Sequence, residues 1–249
     1  MPPTPHTITT LQTNIPVQHN ELEAVKKALG VWLEKEKKCS YHNWIHNHKT
    51  GDTPEYEEQN YPLVQLRRPN GRLMLWGMGK GSDVLKELML TEMFRGFQYR
   101  GTQFRILPGE TKTETYRLTY TKGKKKQRYE LNYFVAFNPK NFNEWKLLPD
   151  IAKRMERLQE LIINNLAMFC KAADFVLDKE KLNLHIEWLW LSKWVIITGK
   201  DKEGEEKKYE VLAFTLTHEC NLQLPDGIAL GRQTKLGYGW QTRRPKKTS

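Results

Sequence analysis

Hydrophobic positions along the chain fall into runs of two periods. Residues 6–15 mix β-branched and polar side chains, which predicts an opening strand. After Pro16, Asn20-Glu-Leu-Glu23 resembles a capping box, and Leu22, Val25, Leu29 and Trp32 then recur at helical spacing with Lys and Glu on the opposite face up to Lys38. Residues 39–60 are rich in His, Asn, Gly, Asp and Pro and read as a loop. Tyr61–Arg67 and Arg72–Gly77 flank Pro69-Asn70-Gly71, a hairpin signal. A glycine-rich turn follows, with Ser82 or Asp83 placed to cap a second helix through about Phe94. Strand, helix, hairpin, helix is most of a ferredoxin-like unit, which a strand near Thr102–Leu107 would complete.

The second half repeats the strand, helix, hairpin part of that order. Strand-like runs from Thr113 to Phe137 surround Lys122–Arg128, and Asn138-Pro139 marks a turn. The longest helix starts beside Pro149, with Ile151, Met155, Leu158, Ile162 and Phe169 on one stripe. Two strands, Leu184–Thr198 and Lys208–Thr217, are joined by a segment with four positive and four negative charges, a solvated tip. Trp188, Trp190 and Trp194 share one strand face by period-two counting and are expected in the core. The fold class is therefore α+β: two tandem ferredoxin-like (RRM-like) domains with antiparallel sheets, residues 1–125 and 126–249, and a C-terminal glycine-rich loop.

Composition narrows the partner. The 249 residues carry 40 Lys and Arg against 29 Asp and Glu, a net charge of +11 that suits a polyanion. No run approaches the ~18 apolar residues of a spanning helix, and Met1–Gln12 lacks the pattern of a secretory signal, so a membrane partner is not expected. Cys39, Cys170 and Cys220 are odd in number and far apart, which fits free thiols in a reducing, cytoplasmic setting.

Four segments carry candidate chemistry. Gly227–Gly239 places Arg232 and Lys235 among the glycines Gly231, Gly237 and Gly239, so backbone N–H groups and two cations can approach a phosphate. It matches neither a Walker loop nor a dinucleotide fingerprint, and a tight turn into a last edge strand is the plainer reading. Lys122–Arg128, with Lys124, Lys125 and Lys126 at its centre, is either a phosphate contact or a solvated tip. Arg243, Arg244, Lys246 and Lys247 are either further cations for RNA or a disordered tail. The fourth segment gathers His42, His46 and His48 within seven residues. Imidazole serves as base or acid near neutral pH. Zinc chelation by the three histidines with Asp52 or Glu55, and an incidental surface loop, are the competing readings.

A late glycine-rich loop with embedded Arg and Lys ending in Gly237-Tyr-Gly239 resembles the signature of the repeat-associated RNA-binding superfamily of CRISPR systems. His46-Asn-His48, followed by Tyr61-Pro-Leu-Val-Gln65, resembles a subset of the CRISPR repeat-processing endoribonucleases, its sixth numbered family. The resemblance spans both halves in element order and is motif-specific at residues 41–66 and 227–240. It implies cleavage of precursor CRISPR RNA within the repeat, with no metal and no cofactor, by attack of the neighbouring 2′-OH to leave a 2′,3′-cyclic phosphate. It carries the catalytic role to His46 or His48, with Tyr41 and Lys49 as accompanying groups, and RNA binding to the glycine loop. The partners it implies are repeat RNA, a CRISPR effector complex and a second copy of the chain as a homodimer. A non-catalytic RNA-binding subunit of such a complex, with the same fold, is the alternative. A generic RNA-binding protein is the third reading.

Overall fold

A computed structural model describes residues 5–35, 61–90, 94–122, 126–200 and 206–245. His42, Tyr41, His46, His48, Lys49, Cys39, Lys124, Lys125, Lys246 and Lys247 lie outside them. Two compact units are present: Pro5–Arg117 together with Lys235–Gly237, and Leu118–Thr234 together with Tyr238 onward. The expected division after residue 125 falls a few residues further along the chain.

The first unit opens with strand β1 (His6–Pro16) and helix α1 (Leu22–Lys35). Strands β2 (Val64–Arg67) and β3 (Arg72–Met78) form the expected hairpin, and Asn70 and Gly71 supply the positive φ angles (51° and 77°) of its turn. Helix α2 (Lys80–Leu90) follows. Its start differs from expectation: Ser82 does not cap it but is fully buried, hydrogen-bonded to Thr9 Oγ1 at 2.7 Å.

Strands β4 (Gln98–Tyr99) and β5 (Thr102–Gln103) make a small separate hairpin. The strand that completes the sheet is β6 (Lys112–Tyr116), not the 102–107 segment. The order β2-β3-β1-β6, antiparallel throughout, is that of a ferredoxin-like sheet. Leu11 and Ile15 of β1, Leu22, Leu29 and Leu33 of α1 and Leu85 and Leu88 of α2 are all closed to water and form the core of this unit.

The second unit starts at β7 (Thr119–Tyr120), which pairs with β11 (Leu222–Gln223). Its main sheet holds β8 (Gln127–Val135), β9 (Leu184–Lys200), β10 (Glu206–Cys220) and β12 (Trp240–Arg244) in the order β12-β8-β10-β9. The Asn138-Pro139 turn signal instead opens a short helix α3 (Pro139–Lys146), because the Asn138 side chain caps Asn141 N at 2.8 Å and proline suits a first helical turn. Helix α4 (Ile151–Ala172) is capped by Asp150 and buries Leu158, Ile162, Leu166, Phe169 and Cys170. No α-helix follows β10 among the described residues; the chain there is the glycine-rich loop, with one 3-10 turn at Thr234–Leu236.

The tryptophans depart from expectation. Trp188, Trp190 and Trp194 are 58%, 55% and 55% exposed rather than core. In the pairing with β10, Glu187 and Trp190 are both extra residues, so Trp188 sits opposite Thr217 and Trp194 opposite Leu212. Thr217 and Leu212 lie on opposite sheet faces, so the bulge at Trp190, the one between them, puts Trp188 and Trp194 on opposite faces too. Arg243 and Arg244 are ordered in β12. Arg244 forms a two-pronged ion pair with the Glu130 carboxylate (Nη2 to Oε1 2.7 Å, Nε to Oε2 3.0 Å), which commits that cation within the protein. No helix among the described residues is long and apolar enough to cross a membrane.

Candidate nucleic-acid interface

The glycine-rich loop is built as a tight hairpin. In the second unit, Gly227 N and Leu230 N donate to Gln241 O and Gly239 O at 2.8 and 2.7 Å, and Gln241 N returns a bond to Ile228 O at 2.8 Å. Side supports fix it further: Gly231 N bonds the Asn165 side chain (3.0 Å), Arg232 N bonds Val135 O (2.9 Å) and Gly239 N bonds Tyr133 O (3.0 Å). Tyr133 sits at a bulge in β8 with φ of 50°, which breaks the ladder to β10 there.

Gly239, at φ 68°, lies so close to Leu230 O that a Cβ would collide with it. This glycine is required by protein packing, quite apart from any phosphate. Arg232 is exposed at the loop's surface.

Residues Lys235–Gly237 belong to the first unit. A Cβ on Gly237 (φ 77°) would stand 3.1 Å from Leu66 O of β2 and 3.3 Å from Leu22 Cδ1 of α1. Leu22 and Lys26 are four residues apart and share a helix face, so Lys26 lies one turn from the Gly237 contact. Lys26 is only 6% exposed and stands within hydrogen-bonding reach of the Lys235 side chain. Burial first, and the Lys235 charge second, lower the Lys26 ammonium to about 7 from the usual 10.5. Two positive groups side by side in a low-dielectric setting favour an anion between them, and an amine titrating near 7 also exchanges protons at neutral pH.

Below the loop, Arg67 of β2 is fully enclosed. Its Nη2 donates to Gln65 Oε1 and its guanidinium lies 4.6 Å from the Trp76 ring centre. Nε and Nη1 have no hydrogen-bond partner among the described residues, and burial lowers its pKa to about 9. Lys26 and Arg67 were missed in the sequence. Lys26 carried a signal: it interrupts the apolar stripe Leu22, Val25, Leu29, Leu33.

The other nominated cation behaves differently. Lys126 precedes β8, whose first residue pairs with Cys220, whereas the glycine loop meets β8 at Tyr133–Val135. Seven residues of strand separate the two places, on the order of 20 Å. Arg128 of the same basic run is paired with Glu187. Among the described residues no group of three or more His, Cys, Asp or Glu side chains is arranged to hold a metal ion. His218, by contrast, is an interior residue, stacked on Tyr129 (ring centres 5.5 Å apart) and lowered by burial to about 4.

Two units in ferredoxin-like order with a basic glycine-rich loop between the last strands define a repeat-associated RNA-binding type of protein. Family comparison makes this specific: residues 6–117 match the Cas6b N-terminal domain and residues 121–244 the Cas6b C-terminal domain. The chain belongs to the Cas6b family. Solved structures agree in fold. A structure described as Cas6b is 17% identical with a TM-score of 0.67, and one described as the CRISPR RNA processing endoribonuclease Cas6b is 17% identical at 0.62. The type IV CRISPR-Cas Cas6 crRNA endonuclease Csf5 is 15% identical at 0.59. Each similarity covers 97% of this chain and 100% of the other. No curated protein sequence matches the chain.

Proposed function

We propose that this protein is an endoribonuclease that binds the CRISPR repeat and cuts precursor CRISPR RNA into guide units. The observation that carries the reading is the seat of the glycine loop. Lys235–Gly237 lie on α1 and β2, with Lys235 beside the buried Lys26, on the helix whose chain runs on toward His46 and His48.

In the proposed reaction the RNA supplies its own nucleophile. One histidine of the His46/His48 pair takes the 2′-OH proton as O2′ attacks the adjacent phosphorus. The other gives a proton to the departing O5′ as the P–O5′ bond breaks. The products are a 2′,3′-cyclic phosphate and a 5′-hydroxyl, with no water consumed and no metal required. Tyr41 and Lys49 assist, and Lys26, Arg232 and Lys235 neutralise phosphate charge, including the charge that develops in the transition state. Gly231, Gly237 and Gly239 hold that loop in shape, and Lys124, Lys125 and Lys126 contact RNA further along.

The test is cleavage of repeat RNA in EDTA with analysis of the ends. Cleavage that persists and leaves a cyclic phosphate supports the reading. Activity lost in EDTA and restored by a divalent ion points to metal chemistry. Repeat RNA bound but never cut points to a binding subunit.

A further inference from the structure

The Tyr61-Pro-Leu-Val-Gln65 run leads from the histidine-bearing segment into β2, the edge strand of its sheet. Gln65 and Arg67, two residues apart, share one strand face. The Gln65 side chain is fully buried there and bonded at both ends. Its amide nitrogen donates to Pro62 O at 3.0 Å, and its oxygen accepts from Arg67 Nη2. The Arg67 guanidinium in turn lies over Trp76, the residue opposite Gln65 in the ladder. Pro62 has no N–H, so its carbonyl is the one backbone group by which it can be tied. Next to it, Leu63 O accepts from Met78 N at 3.0 Å, where the pairing with β3 begins. The bonds from Arg67 through Gln65 to Pro62 therefore fix where the chain coming from the histidines rejoins the sheet.

The same strand also seats the glycine loop. A Cβ on Gly237 would lie 3.1 Å from Leu66 O and 3.5 Å from Arg67 Cα. Bonded positions alternate along an antiparallel pair, so the Leu63–Met78 bond turns Gln65 and Arg67 toward β3 and Leu66 O toward the free edge. That edge is where Lys235–Gly237 rest, within the first unit.

Packing alone does not call for arginine at this place. Arg67 is 2% exposed, its Nε and Nη1 have no hydrogen-bond partner among the described residues, and burial pulls the guanidinium down to about 9 from 12.5. A guanidinium enclosed in this way opposes folding, whereas methionine would fill much of the same space without a charge. What methionine cannot do is donate to Gln65.

We infer that Arg67 is a positioning residue for RNA cleavage: acting through Gln65, it holds the Tyr61–Pro62 end of the histidine-bearing segment in register with the seat of the glycine loop on β2. The inference rests on the cleavage reading and adds to it two buried residues which that reading does not use. Misplacing reacting groups by about 1 Å costs up to ~10²-fold in rate, so loosening this anchor should slow cutting far more than it weakens binding.

Two measurements test it on the full chain. The first is single-turnover cleavage of repeat RNA by wild type, Arg67→Met, Gln65→Met and the double variant, with thermal melts and with filter binding of a 2′-deoxy substrate. Arg67→Met should melt no lower than wild type, because it sheds a buried charge. It should bind RNA within a few-fold of wild type and cut it about ten- to a hundredfold more slowly. Gln65→Met should lose as much rate, and the double variant no more than either, as expected of residues acting in one chain of contacts. The second is hydrogen exchange, which reads the anchor without catalysis. Peptides spanning residues 61–66 should exchange about tenfold faster in Arg67→Met than in wild type, while those of α1 and β1 stay unchanged.

Wild-type cleavage by Arg67→Met, additive losses in the double variant, or unchanged exchange at residues 61–66 would overturn the inference. So would an Arg67→Met protein that melts lower or does not fold, which would assign the arginine to the fold alone. Failure of the functional reading is seen separately, as wild-type protein that does not cut repeat RNA, whereas the exchange experiment still decides whether Arg67 holds the anchor.

Discussion

Replacing Lys26 with methionine should stabilise the protein and weaken its hold on RNA, and both effects should depend on pH. The fall of the ammonium from 10.5 to about 7 corresponds to up to ~5 kcal/mol of unfavourable charge burial. Below about pH 7 folded and unfolded chains both carry the proton, and the whole cost is present. Between about 7 and 10.5 only the unfolded chain holds it, so stability rises with pH through that window, and above it the cost is gone. Allowing ~1 kcal/mol for hydrogen bonding that the methionine cannot make, Lys26→Met should gain ~2–4 kcal/mol at pH 6, several degrees in melting temperature. By pH 10 the gain should have nearly vanished. An RNA phosphate beside Lys26 and Lys235 restores the charge, so binding should take up close to one proton above pH 7. Wild-type affinity should then weaken by up to about tenfold per pH unit between 7.5 and 9, while the methionine variant shows a flatter profile. Thermal melts at pH 6, 8 and 10, with filter binding of a non-cleavable repeat RNA over the same range, make the comparison. Equal melting temperatures at every pH, or identical slopes of affinity with pH, would refute the reasoning.

Other outcomes follow from the same geometry. Gly237→Ala forces a side chain into a left-handed backbone and against Leu66 O and Leu22, so melting temperature and RNA affinity should fall together, by ~2 kcal/mol in stability. A binding loss at unchanged melting temperature would contradict that packing. Arg232→Ala and Lys235→Ala should each reduce the salt slope of RNA binding by ~0.7–0.9; an unchanged slope removes the residue from the phosphate path. His218, lowered to about 4, stays neutral in the folded protein while the unfolded chain protonates, so stability should drop by up to ~3 kcal/mol as pH falls from 6.5 to 4. Urea melts of His218→Gln should lack that part of the loss, and the same acid sensitivity in the variant would assign it elsewhere.

Local signals in the sequence were the dependable ones. The β2–β3 hairpin follows from Pro69-Asn70-Gly71, where the positive φ values of Asn70 and Gly71 need no distant partner, and α4 follows from a long apolar stripe, to which the structure adds the Asp150 cap. What failed was non-local. Strand β6, Lys-Thr-Glu-Thr-Tyr, falls in a run expected to be strand-like but counted with the second half; it is a mostly exposed edge with no apolar alternation, and only its pairing with β1 assigns it to the first sheet. The tryptophan stripe was misplaced because a bulged residue at Trp190 shifts the register between Trp188 and Trp194, which no period-two count detects. Glycine chemistry was legible as a motif, but the structure adds that Gly237 and Gly239 are also held by protein contacts at the Cβ position. Lys26 could have been read from the sequence, since it interrupts the apolar stripe of α1, but its burial beside Lys235 emerges only when the chain is packed. The histidine loop rests on sequence alone, since residues 41–49 lie outside the described residues.

The central claim is RNA cleavage by the substrate's own 2′-OH with His46 and His48 as proton-transfer groups. Single-turnover cleavage of repeat RNA, with and without one 2′-deoxy substitution just upstream of the scissile phosphate, tests it most directly when run on wild type, His46→Ala and His48→Ala. The account predicts that the deoxy substrate is bound but not cut, and that at least one alanine variant loses ~10²–10⁴ in rate while its affinity stays within a few-fold. Normal cutting of the deoxy substrate, or full activity in both variants, would contradict it.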